Sequence, residues 1–270
     1  MEETQLTFEC KGKGTVTVKV ATIQFCPVFR DKIQNLKRLS ALVIEAATNG
    51  AKLIVLPELS ALGYSYMSRL EAEEDSEVLT DFTPGQTKCT TMSVMWALAS
   101  KYQVTVVFGL IRKDHGTGKV YNSQVYLEPS GYFEQCDKLS RWGNDFIWAT
   151  PGHSNPPIIR ADHLDGLRIG MLICRDVRNK KDDNWKNFYS PGEADIIALS
   201  TNWGDGGFPA VSWMDFAEEN KVNLIVSNRY GQEGPNDFGE GGVCVITKAG
   251  EVLCEGLVWS ADCIVYADIP

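Results

Sequence analysis

Leu167-Arg168-Ile169-Gly170-Met171-Leu172-Ile173-Cys174-Arg175-Asp176 is the stretch on which the reading of this chain turns. Its apolar, β-forming run stops at a cysteine followed by two charged residues, and it reads as a buried strand. A thiol at the end of such a strand is held by rigid structure and faces whatever lies at the strand's mouth, a posture that suits a nucleophile. The same posture suits a half-buried cysteine that packs as a small hydrophobe. The rest of the chain has to choose between them.

Working outward, other short and near-continuously apolar runs read as strands: Lys52 to Leu56, Val104 to Ile111, Tyr121 to Leu127, Ala194 to Ser200, Leu224 to Ser227 and Cys263 to Ile269. Strands of this kind are covered on both faces. Helical periodicity appears over Asp31 to Thr48 (Ile33, Leu36, Leu39, Val43, Ile44, Ala47), Thr91 to Tyr102 and Trp213 to Asn220, and a polar helix is expected between Asp176 and Tyr189. Turn chemistry at Glu128-Pro129-Ser130-Gly131 and Lys248-Ala249-Gly250-Glu251 predicts two hairpins. Gln5 to Cys10 and Thr15 to Val20, around Lys11-Gly12-Lys13-Gly14, predict a hairpin or an added edge strand. Residues 1–15 are therefore read as an N-terminal strand or hairpin extension, and 16–270 as one α/β domain in which helices cover one face of a sheet and a second sheet the other.

Composition narrows the function. A chain of 270 residues with 44% hydrophobic and 23% charged residues can bury a core without staples or metals. A formal net charge of −9 argues against nucleic acid and anionic membranes as partners. The eight cysteines show no C-x-x-C pair and no framework, so free thiols in a reducing, cytoplasmic compartment are expected. The three histidines stand at no ligand spacing, so neither a metal nor another cofactor is expected. The acidic N-terminus, Met1-Glu2-Glu3-Thr4, does not read as a secretory signal, and no apolar run approaches membrane-spanning length.

Three strand ends carry complementary chemistry. Leu53 to Pro57 ends at Glu58, Tyr132 to Asp137 ends at Lys138, and the opening stretch ends at Cys174. Ligands in open α/β sheets collect at the carboxyl ends of strands, so the three could face one crevice. Glu58 would move protons, Lys138 would lower the thiol pKa and balance an oxyanion, and Cys174 would attack and hold an acyl group. The backbone N–H of Arg175 would complete an oxyanion hole. Taken singly, a glutamate after a proline and a lysine after an edge strand are ordinary solvated residues.

Their neighbours bear a resemblance. Leu56-Pro57-Glu58 with Gly63-Tyr64, Tyr121-Asn122-Ser123 with Pro129-Ser130-Gly131, Asp137-Lys138-Leu139, Thr150-Pro151-Gly152, Gly170 to Asp176, and Asn228-Arg229-Tyr230-Gly231 with Phe238-Gly239 and Gly241-Gly242 resemble, in order and spacing, the six motifs of the nitrilase, or carbon–nitrogen hydrolase, superfamily. The resemblance runs from about Val18 to the C-terminus. It implies a four-layer αββα sandwich, a Glu58–Lys138–Cys174 triad and a homodimer or small closed homo-oligomer.

The chain departs from the family pattern twice. Asp145 stands where many members carry a second active-site glutamate, six positions before Pro151, and it either keeps that role with a shorter reach or is a loop-surface residue. Arg175 follows the nucleophile where amidase-like members often have tyrosine or asparagine and nitrilases tryptophan. It would favour thiolate, pair with a substrate carboxylate, or form a salt bridge to Asp176. Tyr64 is a candidate for the entrance, Asn202 and Trp203 for substrate contact, and Trp142 with Trp148 for an apolar wall; Arg229 is expected in structural ion pairs. The expected activity is hydrolysis by water of a non-peptide C–N bond in a small-molecule linear amide or carbamoyl compound. Nitrile hydrolysis is the alternative, and a catalytically silent binding protein on the same fold is the alternative from another class.

Overall fold

The computed structural model describes residues 6–10, 18–85, 90–177, 189–204, 207–258 and 261–269. In chain order its elements are β1 (Leu6–Cys10), β2 (Val18–Gln24), α1 (Lys32–Thr48), β3 (Leu53–Val55), α2 (Arg69–Asp75), α3 (Thr90–Tyr102), β4 (Thr105–Lys113), β5 (Val120–Leu127), β6 (Phe133–Asp137), α4 (Asp145–Trp148), β7 (Ile158–Ala161), β8 (Leu167–Ile173), β9 (Ile196–Ser200), α5 (Val211–Asn220), β10 (Asn223–Ser227), β11 (Gln232–Glu233), β12 (Asn236–Asp237), β13 (Val243–Ile246), β14 (Val252–Gly256) and β15 (Cys263–Ile269). The polar helix expected before Tyr189 and the Lys11–Gly14 turn fall outside the described residues.

One sheet has the order β1-β15-β2-β3-β4-β5-β6 and the other β14-β13-β10-β9-β8-β7. Their inner faces interdigitate: Val20, Leu53, Val55 and Val107 from the first pack with Ile169, Met171, Ile173, Ile196 and Ile225 from the second. The outer face of the first sheet is covered by α1 and α3, and that of the second by α5. This is the αββα sandwich. It explains the apolar strands directly, because each is buried against a helix on one side and the opposing sheet on the other.

Local chemistry makes the elements. α1 starts where the Asp31 side chain accepts from the Gln34 N–H at 3.0 Å, a side-chain cap on otherwise orphaned donors. Its buried stripe is Leu36, Leu39, Leu42, Val43 and Ala46, while Ile33 is 84% exposed, so the face is rotated from the one read in the sequence. β1 pairs in parallel with β15 instead of forming a hairpin with β2. That leaves β1 at the edge of the first sheet and β14 at the edge of the second.

Cys10 on β1 and Cys254 on β14 are joined by a disulfide, with Cα atoms 5.5 Å apart. The expectation that every thiol is free is corrected here. A separation of 244 residues hides the pair in sequence, and only the stacking of two sheet edges brings it together.

Polar side chains fix how one sheet lies on the other. Thr22 donates to the Val226 carbonyl at 2.7 Å, Ser227 to that of Ile23 at 2.6 Å, and Ser200 to that of Leu56 at 2.7 Å. Gln124 donates to Ser200 at 2.8 Å. The last two bonds tie the end of β9 to the residue after β3 and to β5, and so set the second sheet's strand end against the turn that carries Glu58.

Candidate active site

β3 ends at Val55, and after Leu56 and Pro57 the chain reaches Glu58 in a turn that lies close against β4. At Gly109 on β4 an added Cβ would meet the Glu58 Cα at 3.0 Å, so a glycine there lets the turn approach. Lys138 follows β6 directly, its N–H bonded to the Asn122 carbonyl at 2.8 Å. Cys174 follows β8 with φ of +47°, a left-handed conformation that a non-glycine residue rarely adopts. That angle breaks the strand and turns the chain into a single 3-10 turn through Asp176. All three side chains are buried. The crevice therefore lies between two facing sheets, not at the edge of one open sheet, because β3 and β6 belong to the first sheet and β8 to the second.

The Lys138 ammonium holds two carboxylates at 2.7 Å each, Glu58 Oε1 and Asp145 Oδ2. Asn122 donates to both, at 2.7 Å to Glu58 Oε1 and 3.1 Å to Asp145 Oδ1. Asp145 is fully buried and is no loop-surface residue. Its Oδ2 also accepts the Trp142 N–H at 3.0 Å. α4 starts at Asp145, so the carboxylate that reaches Lys138 stands at the first position of a helical turn.

The electrostatics follow from burial. Burial opposes charge on Lys138, but Asp145 and Glu58 outweigh it and hold the ammonium well above its usual range. Burial pushes Glu58 up and Asp145 adds to the rise, against the pull of Lys138 and Asn122. Its second oxygen, Oε2, is buried with no hydrogen-bond partner among the described residues. The Cys174 thiol is pushed up to about 12, first by burial and then by Glu58; Lys138, the Thr201 hydroxyl and the Asn202 N–H work against the rise. Lys138 pulls the thiol pKa down, as expected of a nearby cation, but desolvation exceeds what one ammonium shared by two carboxylates returns, so the net shift is upward.

The other sequence candidates separate into two groups. Tyr64 is a buried wall instead of an entrance residue: its ring lies over Lys138, Nζ 5.8 Å from the centroid, and its hydroxyl donates to the Trp142 carbonyl. Trp142 contributes its backbone on both sides, and its ring packs near Tyr64 at 6.5 Å between centroids. Asn202 is buried directly after β9 with its N–H toward the Cys174 sulfur. Trp203 is half-buried, pinned through both backbone groups by Asn228 at 2.8 and 3.1 Å. It lines a cavity of about 260 Å³ with Phe208, Trp213 and Phe238. Away from the crevice, Trp148 is core against Tyr66. Arg229 pairs with Glu233 at 2.8 Å. Arg175 is half-buried in the turn after Cys174.

Sequence reading gave no role in the site to three residues that hold it. Asn122 bridges the two carboxylates; an asparagine in the middle of a buried strand was the available signal. Asp176 accepts the N–H groups of Leu139 at 3.1 Å and Ser140 at 2.7 Å, tying the nucleophile's turn to the loop after Lys138. Glu233 accepts the N–H groups of Tyr64 and Ser65, both at 2.7 Å, and nothing near it in sequence hints at this.

A protein-family model described as carbon-nitrogen hydrolase matches residues 19–270. The chain belongs to the carbon-nitrogen hydrolase family. Among its relatives in that family are a protein named nitrilase from Pyrococcus abyssi, 29% identical over 80% of this chain and 76% of the relative, and an (R)-stereoselective amidase from a Pseudomonas species, 24% identical over 88% and 80%. The fold matches that of an amidase from a Nesterenkonia species, with a TM-score of 0.78 at 22% identity over 96% of this chain and 94% of the other. A carbon-nitrogen hydrolase is an enzyme, which sets aside the silent binding protein. Among the described residues no helix is long and apolar enough to cross a membrane.

Proposed function

We propose that this protein hydrolyses a linear amide or carbamoyl group of a small molecule through a thioester on Cys174, releasing ammonia or an amine. The observation that carries the reading is the unpartnered Oε2 of Glu58, in a carboxylate whose other oxygen holds Lys138. One face of Glu58 is fixed and the other is free to take a proton. Lys138 is held cationic, so it is the charge and not the base.

The steps follow. Cys174 is a thiol at rest, and it gives its proton to Glu58 as the sulfur attacks the carbonyl carbon. The oxyanion that forms is met by the Lys138 ammonium and the Arg175 N–H. Glu58 passes the proton to the departing nitrogen, the C–N bond breaks, and a thioester remains. Water then gives a proton to Glu58 and its oxygen attacks the thioester; the sulfur leaves and recovers the proton. Asp145 and Asn122 keep Lys138 and Glu58 in place throughout. A variant of the Nesterenkonia amidase carries the acetamide moiety of fluoroacetamide covalently on its active-site cysteine, which supports a covalent role for the equivalent thiol.

Nitrile hydrolysis is the second reading, favoured by the Pyrococcus relative's name. A panel of amides, carbamoyl compounds and nitriles, scored for ammonia release and for acyl mass on Cys174, tests both. Cys174→Ala is expected to lose release and adduct together; full release from that variant would end the proposal. The assembly proposed with this function is a homodimer or small closed oligomer, which light scattering reads directly and a strictly monomeric mass would contradict.

A further inference from the structure

Asn202 is buried, and among the described residues neither its side-chain oxygen nor its side-chain nitrogen has a hydrogen-bond partner. An amide side chain offers two donors and two acceptor lone pairs, and leaving both ends unpaired out of water is costly. Swapping the two amide atoms changes nothing, because both lack partners. The residue follows β9, and its backbone N–H faces the sulfur of Cys174, so the side chain starts at the crevice where the thiol must work. Two polar side chains of the neighbouring strand ends are committed elsewhere, while the Thr201 hydroxyl, next in sequence, is like Asn202 buried without a partner among the described residues. Asn228 is spent on the Trp203 backbone, and Ser200 is spent on Leu56 and Gln124.

A partner that satisfies both ends must donate and accept from adjacent atoms. A carboxamide does so with N–H and C=O on one edge, and a carbamoyl group does the same. A nitrile nitrogen only accepts, so it can pair with the Asn202 N–H and leaves the oxygen unpaired. We propose that Asn202 is the specificity-determining residue that selects a carboxamide or carbamoyl group over a nitrile at Cys174. The inference rests on the thiol-hydrolase reading above and sharpens it, since Glu58, Lys138 and Cys174 serve either substrate. A site built to bond a polar group rejects the analogue that lacks it more strongly than an apolar pocket rejects a change of size.

The test compares isobutyramide with isobutyronitrile, which share one acyl skeleton, in the wild type and in Asn202→Leu, which keeps volume and removes both polar ends. The expected result is an amide-to-nitrile ratio of kcat/KM that falls by about tenfold or more in the variant. Equal losses on both substrates, or no loss on either, would overturn the assignment. Dissociation constants of the two compounds are also measured in Cys174→Ala, with and without Asn202→Leu, so that the answer does not depend on turnover. Selective weakening of the amide supports the role of Asn202, and parallel weakening refutes it. Absence of any acyl adduct on wild-type Cys174 would instead strike the thiol-hydrolase reading, which the binding comparison leaves separately decided. Circular dichroism of each variant confirms that a fold is being compared with a fold.

Discussion

Asp145 is the residue that most changed meaning between sequence and structure. As a letter it was a shortened substitute or a surface carboxylate; in the fold it is one of two anions holding the same buried ammonium. Because that carboxylate helps keep Lys138 charged, Asp145→Asn should lower the lysine's proton affinity. We expect kcat to fall by about 100-fold and the alkaline limb of the pH–rate profile to move to lower pH. A profile that keeps its alkaline limb while kcat falls would show that Asp145 acts by shape alone. Cys174 makes a second point at this scale. Burial pushes this thiol up to about 12, which favours a route that couples deprotonation to attack over one that starts from a standing thiolate.

At the scale of elements, the site is a junction of turns. The β8–Asp176 turn and the loop after Lys138 are tied together by the Asp176 carboxylate and two backbone N–H groups. Asp176→Ala takes that acceptor from two half-buried N–H groups, and the loss of each such bond costs about 0.5–1.5 kcal/mol. The expected outcome is a kcat reduced by about tenfold or more with KM nearly unchanged, and a lower thermal midpoint by calorimetry. Burial also raises the Asp176 carboxyl from its ordinary value to about 7. A carboxyl raised on folding contributes stability that is fully present below about pH 4 and lost as pH climbs through 7. Relative to Asp176→Asn, the wild type should therefore gain stability as pH falls from 7 to 4; a flat difference between the two would refute this. The strands were legible in the sequence because their apolar runs are nearly continuous. β7, α2 and α4 were not, being short elements whose shape is set by neighbours and not by their own pattern.

At the scale of the molecule, the disulfide closes one end of the sandwich. Cys10→Ser, or reductant on the wild type, should lower stability by on the order of 2 kcal/mol, seen as a drop of several degrees in the unfolding midpoint. A midpoint insensitive to both would show that β1 adds nothing to the folded state. A reducing compartment keeps such bonds open, so thiol labelling of protein taken directly from cells reads which form exists there. The buried thiols set an upper pH limit. Cys174 and Cys263 are both raised by burial to about 12 from an ordinary value of 9.0. Raised groups hold their full stabilisation below the unfolded value and lose it as pH rises toward the folded one. The unfolding midpoint should therefore decline above about pH 9, and an unchanged midpoint to pH 11 would contradict these assignments.

By itself the sequence determined the layers, the family register and the three residue types at three strand ends, because apolar runs and motif spacing are local properties. The tertiary structure alone decided what those residues are worth. The first sheet supplies Glu58 and Lys138 and the second supplies Cys174, so their meeting depends on sheet packing held by Ser200, Thr22 and Ser227 across the interface. Burial between the sheets then raises the thiol instead of lowering it, gives the lysine two carboxylates, and leaves one oxygen of Glu58 and both ends of Asn202 waiting for a partner. Charge, solvation and unpaired hydrogen bonds are properties of surroundings, and surroundings come only with the fold.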